Sequence, residues 1–494
     1  MPRLLITLLS VVLGAAATPT PVVDPVAPPP RTAVVASIAR LPRIDPAEIA
    51  RAQTIAPMDY EVQAEVALNA RLTRLRVRTT LTITAPAGGS ESLVLGVTAR
   101  RYRAYRDVAV TVDGVAHAFT YNGPRSMALR LDLRDAPWVE GSVHQVVVEG
   151  VISPGASTDR QGLLRRFGSG GATVISAGDL LPLPMERPRT AVFADPLSAP
   201  SARAIEVTIT SARELPTSAI IASGERLEEP SGGRGRRWVY RIAPARSFAL
   251  IIAPSYGSSE TTFELPDTDG QSQRFLLSAH GPSAAARADD LTIAEGALRD
   301  LWSRFGPGPH HALKVVSIPG VSFAHEYPGL VTVGLRFNSI DRQHVVRHEV
   351  IHQWWHTIVA TDQGRDPWMD ETLTEWAAQR LEGATATTRG TNCTKPIDGP
   401  SYRMDGYYRS FFGANQYWDC VYLRGPRLLF AIGDALGHER LEDCLANYVQ
   451  AHRFASPAPA VLVAVLRTCA VSDEEASEVE RALARYLSPA TIAE

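Results

Sequence analysis

The chain has 494 residues, 50 Lys and Arg against 52 Asp and Glu for a formal charge of −2, and 45% hydrophobic residues. That length leads us to expect about two to four domains, each able to bury a core. The near balance of charge gives no footing for a nucleic-acid partner or an anionic membrane surface.

In chain order, residues 1–17 read as an export signal: Arg3, an apolar run from Leu4 to Leu13, and the small residues Ala15, Ala16 and Ala17 before a cut at Thr18. The run is short for a bilayer span, and no Cys follows it for lipid attachment. The expectation is therefore an exported protein, periplasmic, extracellular or at the cell surface, without stable membrane insertion; an uncleaved N-terminal anchor is the lesser alternative. Residues 18–58 carry Pro19, Pro21, Pro25 and Pro28 to Pro30 among Ala and Val, a composition that suits a tether, with a short helix beginning near Pro46. From Tyr60 to Pro254 apolar residues recur near period two in Val62 to Leu68, Thr79 to Ile83, Val108 to Val112 and Ala204 to Ile209, which predicts a β-rich domain over 59–256.

From about Ser258 the pattern turns helical, opening a domain over 257–494. Ala284 to Phe305 is an amphipathic candidate that closes at Gly306-Pro307, and Lys314 to Ile318 reads as a strand. His348-Glu349-Val350-Ile351-His352 then places two histidines four residues apart. On a helix both return to one face, where each can aim a ring nitrogen at the same zinc ion. Val345, Val346, Val350, Ile351, Trp354, Trp355 and Ile358 make this segment apolar nearly all round, so it belongs in a core. Histidines and a glutamate are costly there unless they bind something. A catalytic zinc takes three protein ligands. A third His at Ile358, six places after His352, is absent, and His356 would lie about 12 Å from His348 along a continuous helix. Glu371, after an eighteen-residue gap, opens a second helical segment and can supply the third ligand. Glu349 is then the base that takes a proton from the zinc-bound water.

All four cysteines, Cys393, Cys420, Cys444 and Cys469, lie in the last part of the chain. An even count behind an export signal favours disulfides. The short-loop pairing is Cys393 to Cys420 and Cys444 to Cys469, one of three connectivities. A zinc-thiolate site lacks the Cys-x-x-Cys spacing it needs.

With His-Glu-x-x-His, eighteen residues, then Glu371, Trp354 two places after His352, and Asp370 before Glu371, the chain resembles the aminopeptidase N-like zinc metallopeptidases, the gluzincins. Phe323-Ala324-His325-Glu326-Tyr327-Pro328-Gly329-Leu330-Val331 resembles that family's Gly-x-Met-Glu-Asn motif through Glu326 and the Gly-Leu-Val register. Tyr422-Leu423-Arg424-Gly425 is similar to its Tyr-x-Lys-Gly. Departures fall at His325, Tyr327, His356-Thr357 in place of Gly-Asn, and Thr372 in place of Gly. The resemblance implies an α+β multidomain fold, an N-terminal β-saddle followed by a thermolysin-like, mainly helical zinc-protease domain. The stretch from Glu186-Arg187-Pro188 to Ala194-Asp195-Pro196 falls where the family turns into its second set of strands. The family's second amine-binding residue has no evident counterpart, and the large helical C-terminal domain of many relatives is not expected.

The resemblance also implies one zinc per chain on His348, His352 and Glu371, catalysis by Glu349 and Tyr422, and a peptide substrate. Tyr422 would donate to the oxyanion, and Glu326 would pair with the substrate α-amino group. The expected activity is an aminopeptidase. A zinc endopeptidase, and a non-catalytic binding protein on the same scaffold, are the alternatives.

Overall fold

A computed structural model describes residues 58–97, 104–121, 128–155, 164–167, 173–178, 180–185, 200–228, 231–267, 269–362, 366–385, 404–405 and 417–493. The export signal, nearly all of the Pro-rich tether, the 186–196 stretch and Cys393 lie outside them.

The first half is β-structure because its strands alternate strictly. β1 (Tyr60–Leu68) and β2 (Leu75–Thr84) bury every second side chain and pair antiparallel, Tyr60 opposite Ile83 and Leu68 opposite Leu75. With β3 (Tyr105–Val112), β4 (Val115–Ala116), β5 (Val143–Ile152), β6 (Ile205–Pro216), β7 (Glu225–Glu228) and β8 (Arg234–Ile242) they form an eight-stranded sheet in the order β7-β8-β6-β1-β2-β5-β3-β4. Two four-stranded sheets complete this region. One of them, built from Leu164–Phe167, Val174–Ala177, Ile220–Ala222 and Leu250–Ile252, abuts the second half of the chain. There Phe167, Val174, Ile221 and Ile251 share a core with Val316, Ile318, Tyr327 and Leu330.

The second half opens with two strands, not helices. β9 (Gly257–Pro266) and β10 (Ser272–Gly281) pair antiparallel along their whole length. The helical expectation from Ser258 failed because β9 is an edge strand whose inward positions begin with Ser and Thr and turn apolar only at Phe263 and Leu265. β11 (Ala312–Ile318), β12 (Ala324–Tyr327) and β13 (Leu330–Gly334) finish a five-stranded sheet ordered β9-β10-β11-β13-β12, so β12 forms its other edge.

Helix α1 (Ala284–Phe305) matches its predicted span. Ser283 caps its start by accepting from the Ala286 N–H, and Gly306 ends it at φ +80°. α2 (Ser339–Ile351) is capped by Asn338, and Arg342 ties its first turn to α1 through a bidentate pair with the buried Asp290, at 2.6 and 3.0 Å. α3 (Trp368–Leu381) is buried from Trp368 through Gln379, which places it inside the helical layer rather than on it. A short, wide helix of the π type, Trp418–Arg424, leads into α4 (Pro426–Leu436), α5 (His438–Ala451), α6 (Pro459–Thr468) and α7 (Asp473–Tyr486). Cys444 and Cys469 form the predicted disulfide, and Cys420 is also disulfide-bonded. No helix among the described residues is long and apolar enough to cross a membrane.

Candidate metal centre

The predicted helix around His348 is shorter than its apolar pattern suggested. α2 stops at Ile351, His352 caps it, and the chain continues to Val359 in turns. The apolar residues beyond are buried by tertiary contacts instead. Trp354 donates from Nε1 to the Gly306 carbonyl (3.1 Å) and meets Trp302 edge-on, and Trp355 packs edge-on against Phe305. His356 follows at φ +156°, a backbone state that costs a non-glycine residue about 1–3 kcal/mol. The roughly 12 Å expected between His348 and His356 along a continuous helix does not hold, because the helix ends at Ile351. The His352 and His356 rings lie 6.1 Å apart.

α2 and α3 face each other across the site. Nε2 of His348 lies 3.2 Å and Nε2 of His352 lies 3.4 Å from the same Glu371 oxygen. Around a tetrahedral ion with bonds near 2.0–2.1 Å, ligand atoms sit about 3.3–3.4 Å apart. The donor trio therefore has the spacing and chemistry of a three-ligand zinc centre with a fourth place open. The other face of each imidazole is held. His352 donates from Nδ1 to Asp370 at 2.6 Å, and His348 donates from Nδ1 to Glu375 at 3.2 Å. Such outer hydrogen bonds fix the tautomer in which Nε2 is free to ligate.

The electrostatics without an ion show why one suits the site. Burial disfavours a charged His348, but the hydrogen bonds it donates to Glu371 and Glu375 outweigh it and push its pKa up to about 10. His352 is likewise raised against the effect of burial, chiefly by the Asp370 charge. Glu371 is held down at about 2 although burial opposes this, because His348 and His352 bond to it. A divalent cation can take over the balancing role of those protons.

Glu349 is 5% exposed, and its Oε2 has no hydrogen-bond partner among the described residues. Burial first, then the neighbouring Glu326 charge, raises its pKa to about 8. Glu326, on edge strand β12 and 5% exposed, offers a carboxylate oxygen within 4.8 Å of ligand atoms of Glu349 and His352. Gly178 from the β-rich region presses on the adjacent Tyr327: a Cβ there would come within 2.0 Å of the phenol oxygen. Tyr422 lies face to face with His348 (centroids 5.7 Å) and with Trp418 (4.2 Å). Burial, followed by the Glu371 charge, keeps its phenol protonated. Thr372 donates to the Val421 carbonyl at 2.7 Å, tying α3 to the Tyr422 helix. Gly425 is needed beside it, since a Cβ would come within 2.1 Å of the Thr372 hydroxyl.

All six predicted site residues are thus brought together, five of them buried and Tyr422 half-buried at the edge. Three neighbours, His344, Glu375 and Glu382, were not singled out in the sequence. His344 is bound by Glu375 (2.9 Å) and Glu382 (3.0 Å), and His356 by Asp370 (3.2 Å). A signal for the first pair existed: His344 is one helical turn before His348, and Glu375 one turn after Glu371, on the faces that already carry the donors.

No protein-family sequence model matches the chain, and no curated protein matches it in sequence. Solved structures do match. An M1 zinc metallopeptidase from Deinococcus radiodurans aligns with a TM-score of 0.59 at 18% identity, over 88% of this chain and 97% of that one. The same enzyme bound to a Tyr-Ser-Ala substrate aligns with a TM-score of 0.57 at 17% identity, over 88% and 96%. Legionella pneumophila aminopeptidase A in complex with aspartic acid aligns with a TM-score of 0.58 at 12% identity, over 85% of this chain and 49% of that one, so the chain spans about half its length. The fold is that of the two-domain M1 zinc metallopeptidases, a β-rich region followed by a helical one.

Proposed function

We propose that the chain is a zinc-dependent peptidase of the aminopeptidase type, which releases N-terminal residues from peptides with one zinc held by His348, His352 and Glu371. The observation that carries this reading is the convergence of that donor trio with a second buried carboxylate, Glu326, beside Glu349. The solved relatives with a bound tripeptide or amino acid support a peptide as the substrate.

Bound at the trio, zinc supplies a water of lowered pKa and polarises the scissile carbonyl. Glu349 takes up a proton at its free Oε2 and returns it to the leaving amine, a task suited to a carboxylate whose affinity for protons has been raised toward the operating pH. Tyr422, kept protonated, donates its phenolic hydrogen to the oxyanion that attack creates. Glu326 pairs with the substrate α-ammonium and so registers the first peptide bond at the reacting centre. An extended peptide can lie along the edge strand β12 that carries it. In domain terms we propose a signal at 1–17, a tether at 18–58, a β-rich domain at 59–256 that roofs the cleft, and the catalytic domain at 257–494, in an exported protein.

The test is a panel of aminoacyl-anilides assayed with and without a chelator, alongside elemental analysis. Chelator-sensitive release from free-amine substrates and about one zinc per chain are expected. Cleavage of blocked peptides at equal rates would instead mean an endopeptidase.

A further inference from the structure

His356 lies deeper in the site than a spacer after a helix needs to be. It is 2% exposed, and its Nδ1 faces two carboxylates from different elements, Asp370 on α3 at 3.2 Å and Glu326 on β12 at 3.8 Å. Its backbone holds a conformation that glycine adopts freely and a histidine does not. A strained, buried polar residue persists only where its surroundings over-determine it, and such strain collects at working sites.

Resting on the aminopeptidase reading, we infer that His356 is a positioning residue for amine recognition: its imidazole bridges Asp370 and Glu326 and holds the Glu326 carboxylate where the substrate ammonium must dock. Glu326 lies within 4.8 Å of Glu349 on one side and of Asp370 in a second buried grouping, and carboxylates at such range push apart whenever both are charged. Nδ1 of His356, hydrogen-bonded to Asp370 at 3.2 Å and within ion-pair reach of Glu326 at 3.8 Å, opposes that displacement. The bridge anchors Glu326 to Asp370, which is itself fixed by the 2.6 Å bond to His352. The amine receptor is thereby held in register with the metal donors through three side chains. Glycine, the residue that fits this backbone best, would provide no such strut.

The discriminating probes are leucine hydroxamate and its N-acetyl derivative, which share a metal-binding group and differ in the free amine. In wild type the free-amine compound should inhibit more tightly. In His356→Gly the ratio of the two inhibition constants should shrink roughly ten- to hundredfold, with KM for aminoacyl-anilides raised, kcat changed much less and zinc content kept. His356→Gln, which retains an N–H donor, should recover most of the ratio, and it serves as the second variant should the glycine form fold poorly. Equal weakening of both hydroxamates, or loss of zinc from either variant, would overturn the inference, since His356 would then serve the fold or the His352 ligand. A wild-type ratio near one would instead overturn the aminopeptidase reading on which it rests.

Discussion

Replacing Asp370 by Ala probes the metal centre at the point where the structure assigns it most support. Asp370 is fully buried, lies 2.6 Å from Nδ1 of His352, and also receives His356. Its carboxyl is held well below the usual range: burial acts against this, and the His352 charge and hydrogen bond overcome it. Removing it deletes a charge-assisted bond, about twice as strong as a neutral one, and frees the imidazole to rotate or to carry its proton on the ligating nitrogen. Loss of such an outer partner typically weakens metal binding by about ten- to hundredfold, or about 1.4–2.7 kcal/mol. Asp370→Asn keeps a neutral acceptor and should lose less. Competition with a chromophoric chelator measures zinc affinity directly, and circular dichroism verifies that the variants fold. Unchanged affinity in a folded Asp370→Ala protein would refute the assignment of His352 as a ligand oriented by Asp370.

Glu326→Ala should cost about 2–5 kcal/mol in kcat/KM for substrates with a free amine and little for N-blocked ones; steady-state kinetics on both classes decide it, and equal losses would make Glu326 structural. Gly425→Ala, which drives a Cβ into Thr372, should destabilise by about 1–3 kcal/mol and reduce kcat through displacement of Tyr422, read by thermal melting and turnover; an unchanged variant would contradict the close approach. The metal-free protein should lose stability as pH rises from about 6.5 to 8. His348, with a folded pKa raised to about 10, and Glu349, raised to about 8, keep protons that the unfolded chain has released, so each stabilising contribution fades as pH climbs toward the folded value. Each such proton is worth up to about 1.4 kcal/mol per pH unit, and zinc should flatten the slope because ligation removes the His348 proton. Denaturant titrations of chelated and zinc-loaded protein check this, and a rising or flat metal-free profile would count against it.

The proposed donors His348 and His352 were legible because residues four apart on a helix return to one face, and Glu371 because its eighteen-residue spacing matches the family the chain resembles. Strands β1 and β2 were legible through alternate burial on a half-buried sheet. What escaped depends on contacts between distant segments. The end of α2 at Ile351 is set by where Trp354 and Trp355 dock on the close of α1, and a helical repeat in the sequence carries no mark of that. His356 looked remote only while the helix was assumed to run on. β9 hid because the inward positions of its first half, Gly257, Ser259 and Thr261, are small or polar and only half-buried. The approach of Gly425 to Thr372 joins two helices that lie far apart in sequence, so Thr372 could be noted in advance as a departure but not explained.

In the proposed mechanism Glu349 is a base working at a zinc site rather than a ligand or a buried structural acid. Zinc content and turnover of Glu349→Gln, measured on one preparation, test it most directly. Zinc should be retained at about one ion per chain, as in wild type, with kcat for an aminoacyl-anilide lowered by roughly 10²–10⁴-fold. Loss of zinc from this variant, or turnover close to wild type with zinc in place, would contradict it.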